Sequence, residues 1–414
     1  MSTPTPGKNY TVQSGDSLSS ISARAYGNLD HWPTIWASNL NVLQGDDPNV
    51  INPGDVFFIP VLGDFRTTPK LASKSPDNLT LIIGSKEIPV TAARVIRTID
   101  TAADGWTATI PWNPGEDVPV QPYQYKDAFV FLGGQQVVSG VHYGVAPQVN
   151  AQGRSLNLAG NSYTADAVDS TMRPPYEYSD ITLEDLANEL VKPFGIKAIF
   201  DDESGGKFDR VTADPMETVF DFLAKLAFQR GLLISSDIDG NMLFLKANTS
   251  SKPVATIEEG PDTFGAQGAT EYQADYDGRK LYSSYKAIGQ TPGGTSNEAV
   301  SKDKNVNRPR FLTFKADDLI DGEMQNAADW ERSKRLAKAL TIPFPVSSWY
   351  DPSGNLWMEN TLVTVKSETI FAPDGFTFLI RQVEYIFEGG GIRAILSLVP
   401  PQVYTGEELE VPWG

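Results

Sequence analysis

Groups that move protons, attack carbonyls or hold metals are scarce in this sequence. Its 414 residues include two histidines, His31 and His142, and no cysteine. Without thiols there are no disulfides, thiolate nucleophiles, thiolate-ligated zinc sites or iron–sulfur centres. The two histidines lie far apart, and neither falls in a helical zinc motif. His31 precedes Trp32 at a helix start, and His142 adjoins Tyr143 in a strand-like run. Both read as structural, which weakens serine-triad and zinc-peptidase readings. Carboxylates are the other source of chemistry, since two of them can cleave a glycosidic bond. With 52 Asp and Glu, candidate pairs arise cheaply. Glu184 and Asp185 fall in a helix-entry motif, Glu217 has a capping explanation, and Glu258 and Glu259 lack a marked pocket. Ser204-Gly205-Gly206-Lys207 has a glycine pair before lysine but not the spacing of a phosphate loop. The sequence therefore predicts no catalytic residues, no cofactor and no metal.

The elements that would position any site come next. The chain, 45.2 kDa, is long enough for two to four domains with real cores. At 40% hydrophobic it is not a disordered chain. Its 35 Gly and 29 Pro suit many short strands joined by turns. No apolar run is long enough to span a membrane. Residues 1–6 lack a basic region followed by an apolar core, so no secretory signal is expected. The formal charge is −18, which disfavours a general nucleic-acid surface. That charge serves solubility, or it lines a channel past which DNA slides without sticking.

Residues 8–61 carry the sharpest pattern. Tyr10-Thr11-Val12 alternates as a strand and runs into Gln13-Ser14-Gly15-Asp16, a turn where Asp16 is the expected helix cap. Leu18, Ile21 and Ala25 share a face, and Gly27-Asn28 stops the helix. Asp30 is the expected cap of a second helix with Pro33 in its first turn, Ile35 and Trp36 inward, and Asn39-Leu40-Asn41 at its end. Ile51-Asn52-Pro53-Gly54-Asp55 is a turn before the closing strand 56–60. This βααβ unit resembles a LysM domain in three segments, 10–18, 32–39 and 51–55, which agree in order and spacing. LysM domains bind N-acetylglucosamine-containing chains. The resemblance implies a groove with Gly15, Asp16, Ser17 and Leu18 on one wall and Val50, Ile51 and Asn52 on the other. Exposed amides would pair with the acetamido group while apolar side chains meet the sugar face. Leu18 and Ile51 as core and Asp16 as a cap remain the alternative, as does a docking role for the whole module.

Residues 64–78 read as a polar, proline-marked linker. Strand alternation then fills 79–160, with Gly133-Gly134 as a hairpin turn. Thr182-Leu183-Glu184-Asp185 opens a helix that Pro193 ends. A second helix is expected from Asp214, with Pro215 at its first position, to Gly231. Strand pattern returns from 254 to 400, interrupted by a helix near 321–340 and by a polar stretch, 289–308, expected as a mobile loop. The helix near 321–340 is acidic at its start and basic at its end, as its dipole favours. Tyr123, Tyr125, Trp349 and Tyr350 are candidates for interface contacts.

Several segments of the body are similar to the phage Mu-type tail protein P family, the hubs of contractile tail baseplates. They are Val95-Ile96-Arg97-Thr98-Ile99-Asp100-Thr101-Ala102-Ala103-Asp104, Ile110-Pro111-Trp112-Asn113-Pro114-Gly115 and Leu132-Gly133-Gly134. Residues 161–170, Pro174-Pro175-Tyr176-Glu177, Pro193-Phe194-Gly195-Ile196 and 208–213 complete the set. The resemblance covers most of 79–250 and fades beyond. It implies a homotrimer whose subunits each give two barrel-like domains, a pseudo-sixfold ring between the tail tube and the threefold central spike. DNA passes through its lumen without specific binding. The expected fold is multidomain and mainly β with α/β parts. It divides into the LysM domain 1–63, linker 64–78, first barrel-like domain 79–171, α/β module 172–253, second barrel-like domain with one helix 254–400, and tail 401–414. The expected function is a structural baseplate hub of a contractile phage tail or related injection system. Expected partners are tube or tube-initiator, spike and other baseplate proteins, with peptidoglycan as a possible ligand of the LysM module. The expected location is the virion tail baseplate, assembled in host cytoplasm. A peptidoglycan-binding wall hydrolase is the alternative, because LysM modules also ride on such enzymes.

Overall fold

A computed structural model describes residues 3–27, 29, 32–39, 42, 50–59, 75–113, 120–150, 153–259, 274, 276–290, 296–315 and 324–404. Asp30, His31, most of the linker and most of the tail lie outside these residues.

In the N-terminal module, strand β1 (Lys8–Thr11) pairs antiparallel with β2 (Val56–Ile59), and helices α1 (Leu18–Tyr26) and α2 (Trp32–Ala37) lie between them in sequence. Tyr10, Val12, Leu18, Ile21, Ile35, Trp36, Phe57 and Ile59 form its core. The cap of α1 is Ser17 rather than Asp16. The Ser17 hydroxyl accepts from the Ser20 amide, and the Ser20 hydroxyl accepts from the Ser17 amide. A serine pair closes this reciprocal box, which frees Asp16 for another task. Gly27 ends α1 at φ 74°, a left-handed position that suits glycine. Asn39, read from sequence as a helix end, is buried. Its amide group donates to the carbonyls of Ile35 and Phe58 and accepts from the Phe58 N–H, pinning α2 to β2.

The first strand-rich region comprises β3 (Leu79–Ile83), β4 (Lys86–Ile88), β5 (Ala92–Thr98), β6 (Gly105–Pro111), β7 (Asp127–Leu132), β8 (Gln135–Asn150) and β9 (Gly153–Ser162). After the short helix α3 (Ala165–Asp169), an α/β unit follows. It holds β10 (Glu177–Ile181), α4 (Leu183–Val191), β11 (Ala198–Phe200), β12 (Phe208–Thr212), α5 (Val219–Gln229), β13 (Leu233–Ser236) and β14 (Met242–Leu245). Thr182 caps α4 as its sequence predicts. The second cap is displaced. Thr218 accepts from the Asp221 amide and starts α5, while Asp214 accepts from the Met216 amide in a preceding turn. The Met172 amide donates to the Glu217 carbonyl and Thr171 bridges Thr218, so the proline is taken up in a turn closed from Asp214 to Glu217 and the helix starts after it.

The rest of the body is β15 (Ala255–Glu258), β16 (Ser284–Gln290), β17 (Ser296–Lys302), β18 (Phe311–Lys315), α6 (Met324–Ala339), β19 (Ile342–Val346), β20 (Leu362–Ser367), β21 (Ala372–Glu388) and β22 (Gly391–Val399). The expected loop over 289–308 instead contains β17, zipped to β16 from Lys302↔Ser284 onward. Strands β17, β16 and β18 make a separate three-stranded sheet with α6 against it.

The two strand-rich regions, read from sequence as separate domains, share one sheet that has twelve strands among the described residues. Strand β21 is the seam. Its first half pairs with β20, and its second half lies between β5 and β22. A bulge between Ile380 and Gln382 marks the change of partner on its way. Residues of both regions, from Leu79 and Val95 to Tyr385 and Leu398, form a single core cluster. At one border, β19 pairs among the described residues with β22 alone, and Pro343 and Pro345 lie on it two residues apart.

One buried cation ties three units together at this seam. Arg97 of β5 donates to the Val137 carbonyl of β8, to the Ser236 carbonyl of β13 at 3.3 Å, and to Glu359, just before β20, at 2.9 Å from Nε. Asp104 Oδ2 lies 3.2 Å from Nη1, and the other Asp104 oxygen accepts from the Thr98 amide. Arg97 and Asp104 are both buried. Burial pushes the Asp104 carboxyl up to about 8, with Glu359 adding to the push and Arg97 opposing it. A protonated Asp104 beside an Arg97–Glu359 ion pair leaves the pocket without net charge, as a low-dielectric site favours.

Removing the cation strands Glu359 in that pocket. Arg97→Met is therefore expected to destabilise the body by about 3–5 kcal/mol in urea unfolding. Asp104 keeps its proton in the folded chain up to about pH 8, whereas its ordinary value is 3.8. The native state binds the extra proton across that window, so its stability falls as pH rises through it. Asp104→Asn removes this term, and its urea midpoint at about pH 8 relative to about pH 5 should drop less than the wild type's.

Candidate functional site

Both walls of the expected groove leave the same end of the β1–β2 pair, where Thr11 faces Val56. The Val12 amide donates to the Asp55 carbonyl, and the Gly54 amide donates to the Val12 carbonyl. These bonds zip the second wall to the root of the first. Gly15 turns at φ 88°, a conformation that a Cβ would strain.

The side chains divide unevenly. Leu18 is 3% exposed and belongs to the core, so it offers no surface to a sugar. Asp16 is held inside the module, where its carboxylate accepts from the Tyr10 hydroxyl at 2.7 Å and the Gln13 amide at 2.9 Å and pairs with Arg24. Burial would raise its pKa, but the Gln13 amide, the Tyr10 hydroxyl and Arg24 outweigh it and hold the carboxyl below its ordinary range. Ser17 spends its hydroxyl on the cap. Ile51 is half-buried against the core, while Val50 and Asn52 are exposed. The Asn52 amide N–H donates to the Asp55 carboxylate, fixing the turn. What the two walls present is backbone polarity around Gly15 and Ser17 opposite the apolar Val50 and the amide side chain of Asn52. Such a surface can recognise an acetamido group and a sugar face, and its described carboxylates, Asp16 and Asp55, are both engaged in hydrogen bonds within the module.

The α/β unit carries a seat for this module. The Arg173 guanidinium lies 4.5 Å from the ring centroid of Trp36, and α2 packs against the turn Lys192–Phe194. Trp36 is buried, yet Gly15, Ser17, Val50 and Asn52 remain exposed. The seat therefore engages α2 and leaves the groove walls open.

Of the carboxylates considered for catalysis, Glu184 stands exposed on α4, Asp185 accepts from the Thr182 hydroxyl at 2.7 Å, and the others have structural tasks. Glu217 pairs with Lys225 at 2.6 Å and Glu258 with Lys366 at 2.6 Å. Glu259 accepts from Thr369 and Ser367. His142 is fully buried in β8, and burial pushes its imidazole pKa down. Lys207 of the glycine-rich turn pairs with Asp180 at 2.9 Å. Among the described residues, no group of three or more His, Asp or Glu is placed to hold a metal ion. Of the aromatics considered for interfaces, Trp349 is core, donating its indole N–H to the Ile386 carbonyl. Tyr350 donates to the Pro76 carbonyl. Tyr123 and Tyr125 stand exposed on backbone of positive φ. Sequence reading missed Asn39 and Arg173. Neither has a local signature, because an amide and a guanidinium take their roles from segments that folding brings near.

Known proteins with this pattern fall into two groups. Residues 10–60 match the LysM domain model. Residues 164–246 match the second domain of gp44-like baseplate hub proteins, and 321–407 match the fourth domain of the Mu phage baseplate assembly protein GpP. The chain is 26% identical over 327 residues to baseplate hub protein gp44 of Escherichia phage Mu, covering 75% of this chain and 84% of that one. In fold it is similar to the 43 kDa tail protein of prophage MuSo2 from Shewanella oneidensis, with TM-score 0.68 and 24% identity over 78% of this chain and 98% of that one. It is equally similar to a tail protein of Neisseria meningitidis MC58, with TM-score 0.69 and 20% identity over 79% and 98%.

Arg173→Ala should loosen the seat by about 0.5–1 kcal/mol, the range of an exposed cation–π pair. Amide exchange is then expected to quicken in residues 32–39 and 192–194, with β5 and β21 unchanged. Equal exchange in both proteins would show the seat to be idle.

Proposed function

We propose a function on one footing: this chain is a Mu-type baseplate hub that carries a LysM domain at its N-terminal end. It is a structural component of a tail baseplate. In our reading the body assembles as a homotrimer. Its two strand-rich regions alternate around a ring that joins the sixfold tail tube above to the threefold spike below, and DNA passes through the lumen unread. The LysM module meets peptidoglycan with the Gly15–Ser17 and Val50–Asn52 walls. The protein breaks no covalent bond of its own. It acts in the virion tail after assembly in host cytoplasm.

The observation that carries this reading is the seam. A single strand of 17 residues, β21, fuses the two strand-rich regions into one sheet, so each subunit brings both as a rigid pair. Rigid pairs with similar outer borders are what a threefold assembly needs in order to present six positions. A second reading, that the module braces the baseplate, is favoured by the Arg173–Trp36 seat, which holds it on the body.

Co-sedimentation separates these readings. The intact chain is expected to pellet with purified peptidoglycan and to leave the supernatant free of soluble fragments. Removing residues 1–63 should abolish pelleting and spare association with tube and spike proteins. Fragment release by the intact chain would instead establish a wall hydrolase, and unchanged pelleting after the deletion would move glycan recognition to the body. Pelleting by neither form would leave the brace.

A further inference from the structure

Among the described residues, the sheet β17-β16-β18 is covered on one face, by α6. Strand alternation turns the buried Tyr285 and Ala287 toward the helix and Lys286 and Ile288 toward the open side. Register extends the open face across the neighbouring strands. Lys302, Lys286 and Lys315 advance by one row per strand and so form a diagonal, with Phe311, Val300 and Ile288 between them. Phe311 is 73% exposed, which is unusual for a side chain of that size unless something covers it.

Charge points to what that is. Residues 284–315 hold six Lys and Arg against two Asp and Glu, a local excess of +4 in a chain of −18. Residues 164–246 hold sixteen Asp and Glu against eight Lys and Arg, a deficit of −8. On α4, Glu184, Asp185 and Glu189 are all exposed, and Asp185 and Glu189 are four residues apart, where like charges repel. No ion pair among the described residues engages these three. Trp330 of α6 packs on Phe228 of α5 with ring centroids 4.4 Å apart, so α6 stands between the sheet and its own acidic unit.

We propose that the open lysine face of this sheet docks on the acidic α4 surface of a neighbouring copy of the chain. The contact joins unlike surfaces, the kind of interface that closes into a ring when its rotation is a whole fraction of a turn. This deepens the hub reading and rests on it. A protein surface is favoured over nucleic acid because Glu298 shares the face and pairs with Lys286, and because apolar groups separate the lysines. Phosphate backbones reward concentrated cations without such interruptions.

Charge exchange tests the contact in the full-length chain, read by sedimentation velocity. Lys302→Glu with Lys315→Glu should lower self-association at least about tenfold, equivalent to ~1.4 kcal/mol. Glu184→Lys with Glu189→Lys, which spares the Thr182–Asp185 cap, should do the same. All four substitutions in one chain should restore association, with far-UV circular dichroism confirming that each variant is folded. Undiminished assembly of the sheet variant, or no recovery in the folded fourfold variant, overturns the contact. So does loss of binding to linear duplex DNA with assembly unchanged. If wild type joins tube and spike proteins while every variant does so equally, the contact fails and the hub reading stands. If wild type joins neither itself nor those proteins, the hub reading fails.

Discussion

Arg97 sits where three parts of the body meet, and their mutual placement depends on it. A guanidinium taken out of water needs its donors satisfied in fixed directions. Here the partners come from β8, from β13 of the α/β unit, and from the segment entering β20. Any rotation of one unit against another leaves a donor or a carboxylate unpaired in a dry pocket. A purely apolar seam would tolerate sliding, whereas this one has a single register. A second set of bonds repeats the device nearby. Asp100 accepts from Arg381 at 2.7 Å and from Tyr404 at 3.1 Å, tying β5 to β21 and to the final turn. Its neighbour Thr98 accepts the Ser235 hydroxyl at its carbonyl, adding a link to the α/β unit.

From that constraint follows a division of labour. The body is fixed as one object, while the N-terminal module is held by fewer contacts, one of them an arginine over an indole. The module's own interior is nonetheless tightly specified. Asp16 and Asn39 each satisfy several partners inside about fifty residues, where a small core leaves little apolar stabilisation to spare. The groove is built largely from backbone, because side chains that would otherwise face a ligand are used to hold the loops.

How much was legible in the sequence depended on the range of the interaction. The cap at Thr182 and the stop at Gly27 are local, and both could be read from neighbouring residues. Asp214-Pro215 and Asp16 mimic caps, yet Thr218 and Ser17 win because they lie one to four residues nearer the true helix starts and pair with N3. Strand β17 is polar and follows Gly293-Gly294, so its alternation is weak, and only its register with β16 reveals it. The shared sheet was beyond reach, since Arg97 and Glu359 are 262 residues apart and nothing local couples them. In the groove, segment order identified the module. It could not separate Leu18, which faces inward, from Val50, which faces outward, since both are aliphatic residues beside turns.

The border strand β19 carries a further consequence. In its ladder with β22, the buried Ile342, Phe344 and Val346 alternate with Pro343 and Pro345. A proline in a paired strand must turn its nitrogen outward, so this border offers carbonyls and no amide hydrogens where a new strand would attach. Neighbouring copies of the chain cannot use it as a template for runaway stacking. Any association of copies is thereby left to side-chain surfaces, which can be counted and closed, rather than to main-chain zippering, which has no natural end.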